Sequence, residues 1–136
     1  MTQHAAATFT LNSWDEKPYD ETDGLPKLSR VSATKSYEGD IAGEGRVEYL
    51  MMYRADGSAT FIGLERVIGS VGDRSGSFVF QHSGIFENGI AKVDLFVVSG
   101  SGTERLDGLQ GKGEFAVGHN PPYKMTLDYG FVNRES

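Results

Sequence analysis

Glu48, Glu65 and His82 are the residues of this sequence best suited by type and spacing to acid–base chemistry. Each lies in an alternating run of apolar and polar residues, and the turn spacing worked out below sends all three to the apolar side. Two carboxylates opposed in a dry cavity repel, so one holds its proton near neutral pH. A carboxyl poised in that way can serve as a general acid or base. His82, beside Glu65, would be a proton shuttle or a ligand anchor. The competing reading is structural: a glutamate paired with Arg30, Arg46 or Arg54, and a histidine satisfied within the core. His4 and His119 fall in terminal and turn regions, where solvation is expected.

Other chemistries find less support. The 136 residues include no cysteine, which excludes disulfides, thiolate metal sites and thiol nucleophiles. There is no His-x-His pair. His82 and the two glutamates could form a facial metal site in principle, but neither metal nor cofactor is expected. No serine lies in a nucleophile-elbow motif. Gly72-Asp-Arg-Ser-Gly76 is not a phosphate loop, because no helix follows it.

The stretch from Val47 to Val98 must position these side chains. Three turn signals divide it: Asp56-Gly57, Gly72-Asp73 and Asn88-Gly89. Such dipeptides supply the positive φ angles of tight primed hairpins. Turn length sets register, and register sets facing. If each is a two-residue hairpin, Leu50 opposes Gly63 and Glu48 opposes Glu65; Glu65 then opposes Phe80, and His82 opposes Leu95. Lys92 and Asp94 belong outside, so Val93 and Leu95 point inward. The inner wall then carries Glu48, Glu65 and His82, with Leu50, Met52, Phe61, Gly63, Phe78, Phe80, Leu95 and Val97 as candidate ligand-binding residues. Charges on an apolar wall need pairing or hydration, which suggests a wet pocket or a polar network. The outer face carries Tyr49, Met51, Tyr53, Ile62 and Leu64. That patch is too apolar for bare solvent, and a homo-oligomer interface is expected there.

The remaining segments also read as strands. Ala7–Ser13 alternates with period two. Trp14–Lys27, with two prolines, a glycine and five acids, reads as a long polar loop in which Trp14 and Tyr19 could cover a barrel mouth. Leu28–Tyr37, Leu106–Val117 and Tyr123–Val132 are further strands, and alternating Gly111 and Gly113 suggest close backbone approach or a sharp bend. No segment has helical periodicity. About eight strands with short connections in one domain predict an all-β, closed antiparallel up-and-down barrel, which removes sheet edges; a two-sheet sandwich is the alternative. The formal charge of -6 disfavours nucleic acid or an anionic membrane as partner. No stretch has the roughly 20 apolar residues of a membrane helix, and the first residues lack the pattern of a signal peptide. A cytoplasmic location is expected.

Three motifs resemble one bacterial family. They are Ser13-Trp-Asp-Glu-Lys-Pro-Tyr19, the run from Gly63 to Phe78 continuing to Gln81-His82, and Gly100-Ser-Gly-Thr-Glu-Arg-Leu-Asp-Gly-Leu-Gln-Gly111 with its tail to Gly113. Together they resemble the domain-of-unknown-function family 3224 over nearly the whole chain. The resemblance implies an allene-oxide-cyclase-like, calycin-like barrel of eight strands and no established activity. The third motif is also similar to a glycine-rich pattern of plant allene oxide cyclases and dirigent proteins, with Leu106 where those families often place an aromatic. That segment is structural there, and no catalytic residue carries across.

Three functions compete. The inner wall of aromatic and aliphatic residues with few polar groups suits a small apolar ligand. An isomerase or cyclase would use Glu65 and His82 as its acid–base pair, with Glu48 tuning them. A filled scaffold would act through its outer face on a protein partner. The first is the reading these residues favour.

Overall fold

The structure, a computed structural model, describes residues 2–118 and 120–132. Eight strands follow one another: β1 (Gln3–Asp20), β2 (Lys27–Gly39), β3 (Ile41–Tyr53), β4 (Ala59–Val71), β5 (Arg74–Glu87), β6 (Ile90–Val97), β7 (Leu109–Val117) and β8 (Tyr123–Phe131). Each pairs antiparallel with its neighbour in sequence, and β8 pairs with β1, so the sheet closes into a barrel. This is the meander expected from the turn signals. Among the described residues, the end of β1 beyond Phe9 pairs with β2 alone, and the start of β5, Arg74–Val79, has β4 as its strand partner with the segment after β6 hydrogen-bonded along its other side.

Two of the three turns have the expected length. Val71 pairs with Arg74 around Gly72-Asp73, and Glu87 pairs with Ile90 around Asn88-Gly89. Asn88 and Gly89 both have positive φ, at 53° and 77°, as a primed two-residue turn requires. The facing of β4, β5 and β6 follows. Phe61, Glu65, Phe78, Phe80, His82, Val93, Leu95 and Val97 are all buried.

The turn at Asp56-Gly57 differs. Tyr53 pairs with Ala59, which leaves five residues in the loop instead of two. The Asp56 carboxylate accepts from the Ser58 backbone N–H and hydroxyl, and the Arg54 N–H donates to the Ser58 carbonyl at 2.8 Å. These local bonds hold a wider loop than a two-residue hairpin. The pairing shifts by one residue, and in a strand such a shift reverses every side chain. Val47, Tyr49 and Met51 therefore point into the barrel and Tyr53 packs against its core, whereas Glu48 and Leu50 point out. Met52 alternates with Met51 and leaves the lumen with Leu50. Of the five residues assigned to an outer patch, only Ile62 and Leu64 are on the outside, both 56% exposed.

The expected loop at Trp14–Lys27 is mostly strand. β1 continues to Asp20 against β2, and only residues 21–26 connect them. A register shift between Leu11 and Ser13 is decisive for facing. Before it Phe9 and Leu11 point inward; after it Trp14 lies opposite Ala33 and Glu16 opposite Val31, both inward-facing partners. One extra residue thus turns Trp14 and Glu16 toward the barrel. Pro18 sits at a second shift, where a missing N–H is tolerated.

The two ends of the barrel differ. At the end bearing the β6–β7 connection, a short 3₁₀ turn (Glu104–Leu106) buries Leu106 completely. The Thr103 N–H donates to the Ser77 carbonyl at 2.9 Å, and the Thr103 hydroxyl accepts from the Ser77 N–H at 3.0 Å, fastening this segment over β5. The close approach expected at Gly113 is present: a Cβ there would collide with the Thr126 carbonyl of β8.

The parity of β3 is open to a direct test. Val47→Asp should cost about 3 kcal/mol or more, because it places a carboxylate on the packed side. Leu50→Asp should change stability by less than about 1 kcal/mol. Urea unfolding of both variants checks this, and the reverse order would restore the two-residue register.

Candidate functional site

The centre of the barrel holds a buried polar network. Glu65 comes from β4, His82 from β5, Lys35 and Tyr37 from β2, and Tyr49 from β3. Register brings them together: Gly63 lies between Tyr49 and His82 as cross-strand partner of both, and Lys35 faces Gly45. Gly45 makes room, since a Cβ there would overlap the Glu65 carboxylate. Glu65 and His82 are fully buried, and Lys35 is 1% exposed.

Glu65 accepts from three side chains. His82 Nε2 lies 2.7 Å and Lys35 Nζ 3.3 Å from its Oε1, and the Tyr37 hydroxyl donates to Oε2 at 2.5 Å. Tyr49 Oη lies 3.1 Å from His82 Nδ1. With its Nε2 proton directed at a carboxylate, a neutral His82 accepts at Nδ1 from the Tyr49 hydroxyl. Burial alone would push the Glu65 carboxyl up, but the Lys35 charge and the His82 and Tyr37 hydrogen bonds outweigh it and hold the value at about 2. Burial lowers both Lys35 and His82, and Glu65 only partly restores them. Burial and the Glu65 charge push both tyrosine hydroxyls up.

Glu48 belongs to a different environment. It faces solvent and accepts from Arg30 Nε and Nη2 at 3.0 and 2.9 Å and from the Ser32 hydroxyl at 2.9 Å. The Ser32 and Arg30 hydrogen bonds lower its carboxyl. Val47, not Glu48, is the partner of Glu65, so Glu48 and Glu65 do not form a repelling pair. Lys35, not a second acid, lies beside Glu65. Its position was visible in period two, where Ser29, Val31, Ala33, Lys35 and Tyr37 alternate on one side of β2. His4 is exposed on β1 against Asp128 at 2.8 Å, and His119 lies outside the described residues.

Above the network, toward the β3–β4 and β5–β6 turns, lies a cavity of about 300 Å³. Its walls include Phe9, Leu11, Met51, Phe61, Val93 and Phe115, with Trp14 and Phe86 toward the mouth and Lys35 and Tyr49 at the floor. Of the ligand-binding candidates read from sequence, Phe61 lines this space. Phe78, Phe80, Leu95 and Val97 are inside the barrel but not on the cavity wall, and Gly63 faces the lumen behind Tyr49. Leu50 and Met52 are excluded by the reversed parity of β3.

A second polar group edges the mouth. Glu16 accepts from the Ser29 hydroxyl at 2.6 Å, the Tyr53 hydroxyl at 2.5 Å and the Trp14 ring N–H at 3.2 Å. Burial and the Glu16 hydrogen bond raise Tyr53 to about 12. Lys27 Nζ lies 4.5 Å from the centre of the Tyr53 ring. Among the described residues, no group of three histidine or acidic side chains could hold a metal ion, and no helix is long and apolar enough to cross a membrane.

Residues 5–129 match the family model described as "Protein of unknown function (DUF3224)". The chain belongs to this family. It is similar to a protein with unknown function from the DUF3224 family of Shewanella oneidensis MR-1, solved as a crystal structure. The two are 26% identical, the match covers 97% of this chain and 99% of the other, and the TM-score is 0.80. No curated protein matches the sequence.

Two outcomes follow for this DUF3224 barrel. Glu65→Gln should destabilise it by about 3–5 kcal/mol, because Lys35 is left buried without a counter-charge. Adding Lys35→Met should recover much of that loss, and a double-mutant cycle by urea unfolding measures the coupling. Acid should also destabilise the fold. The folded value of His82 lies below 6.5, so the unfolded chain takes its proton first and stability falls as the pH drops past that point. The Glu65 contribution is full above 4.5 and is lost as the pH falls toward about 2. Both act in the same direction, and a melting temperature unchanged from pH about 7 to about 3 would contradict them.

Proposed function

We propose that this protein binds a small apolar molecule in the open half of its barrel. The observation that carries the reading is the cavity itself: about 300 Å³ of space in a lumen otherwise filled by side chains, walled by aromatic and aliphatic groups. That volume is at the lower end of the roughly 300–1,000 Å³ typical of small-molecule sites, and the lining has their usual makeup of many apolar groups and few polar ones. The bulge in β1 supports it, because it turns the half-exposed Trp14 ring toward the mouth, where that ring lines the cavity.

Binding is favoured over isomerase or cyclase chemistry by the state of the polar groups. Glu65 is ionised and engaged by three donors, and both ring nitrogens of His82 are in hydrogen bonds. Neither side chain is on the cavity wall. An acid–base pair must reach the reacting atoms, and here Lys35 and Tyr49 stand between. Kinship with allene-oxide-cyclase-like barrels is part of the same proposal; eight-strand closure and the tight packing of Gly111 and Gly113 on β8 support it.

Native mass spectrometry of protein purified from its own host should show a retained compound of low mass. Uptake of the neutral dye N-phenylnaphthylamine should raise its fluorescence. Ala91→Trp, which puts an indole into the cavity, should weaken dye binding by at least about tenfold while leaving the fold intact by circular dichroism. A protein that carries no compound and takes up no dye would end the binding proposal.

A further inference from the structure

The floor of the cavity carries a cation with donor capacity to spare. An ammonium has three N–H donors. Among the described residues the hydrogen-bond partner of Lys35 Nζ is Glu65 Oε1. Its other directions meet ring faces, with Nζ 4.4 Å from the centre of Phe9 and 4.7 Å from that of Phe115. Both rings and Lys35 itself line the cavity. Tyr49, the other polar residue at the floor, directs its hydroxyl at His82. A ligand that reaches the floor therefore meets Lys35 as its donor.

Charge decides what kind of group fits there. Lys35 and Glu65 are 2% and 0% exposed at the side chain, and their charges cancel. A ligand carboxylate would bring a second anion to a single cation in a space shielded from water, with Glu65 already beside it. Unpaired buried charge is costly. Lys27, the cation at the mouth, likewise has an acid, Glu16, in its field. A neutral oxygen acceptor adds no charge. It offers the ammonium a charge-assisted hydrogen bond in a direction now occupied by a ring face, and it leaves the charge balance of the floor unchanged.

Building on the cavity-binding reading, we propose that Lys35 is the polar anchor of this site and that the ligand is an apolar molecule ending in a neutral carbonyl, of the ketone, aldehyde or ester class. Glu65, His82 and the two tyrosines are positioning residues that hold the amine at the floor.

The test displaces N-phenylnaphthylamine from the protein with three molecules of one chain length: octane, methyl hexyl ketone and octanoate. The ketone should displace the dye at about tenfold lower concentration than either other compound. In the double variant Lys35→Met/Glu65→Gln, which removes both charges together, ketone and octane should displace the dye equally, each read against that variant's own dye affinity, and a ketone advantage that survives there would overturn the assignment to Lys35. Equal displacement by ketone and octane in the unaltered protein would overturn the proposal and leave apolar binding intact, and octanoate displacing best would overturn the charge argument. Failure of the dye to bind would remove the cavity reading itself. Infrared spectroscopy of the bound ketone needs no variant: its carbonyl stretch should move to lower frequency, and an unshifted band would overturn the assignment to Lys35.

Discussion

The constraint on which the rest of this structure depends is one buried carboxylate. Glu65 is removed from water at the centre of the barrel, and its charge is stable there only because Lys35, His82 and Tyr37 converge on its two oxygens. The donors come from β2 and β5, on either side of the strand that carries it and of its neighbour. Attraction between buried ions rarely exceeds the cost of desolvating them by much. The larger effect is on specificity: any packing that misplaces β2 relative to β4 leaves a bare charge in the core. Gly45 belongs to this arrangement, since any side chain on β3 at that point would occupy the space of the carboxylate.

The network also divides the lumen. On the side closed by Leu106, the barrel is filled by residues such as Phe78, Phe80, Val97 and Leu127. On the other side the strands run on past the network without enough side-chain volume to meet, and the space remains. The ends differ because their connections differ. A folded-back segment seals one end, whereas short turns and the bulged end of β1 border the other. A bulge at such a place is a common way to re-aim a side chain near a functional site, and here it redirects Trp14 and Glu16 together.

Much of this was legible in the sequence. Closure, strand number and the facing of β4, β5 and β6 follow from turn dipeptides and alternation, and with them the inward placement of Glu65 and His82. The facing of β3 was not, because Asp56-Gly57 fits either a two-residue turn or part of a five-residue loop. The distinction lies in hydrogen bonds that the Asp56 side chain accepts from Ser58, which a dipeptide does not reveal. That single residue exchanged Glu48 and Leu50 for Tyr49 and Met51. Lys35 was hidden for another reason. Its alternation with Val31, Ala33 and Tyr37 marks it as inward, but a lysine in a Ser- and Thr-rich strand reads as solvent-facing until a carboxylate partner is known. The bulge in β1 has no local signature strong enough to separate a strand that shifts register from a strand that ends.

The geometry of the floor bears on selectivity. A cavity lined only by hydrocarbon discriminates weakly among apolar guests, because each methylene contributes little and similarly. On the proposed binding reading, a fixed donor at one end adds discrimination of a different kind, since a guest without an acceptor forgoes a hydrogen bond. The donor must be held still for this to work, and a lysine on its four-carbon stem is ordinarily mobile. Here Glu65 restrains the amine from behind while Phe9 and Phe115 confine it at the sides. Glu65 is itself fixed by Tyr37 and by His82, whose ring is oriented through Tyr49. The buried network thus confines a side chain on a flexible four-carbon stem, with its amine beside apolar space.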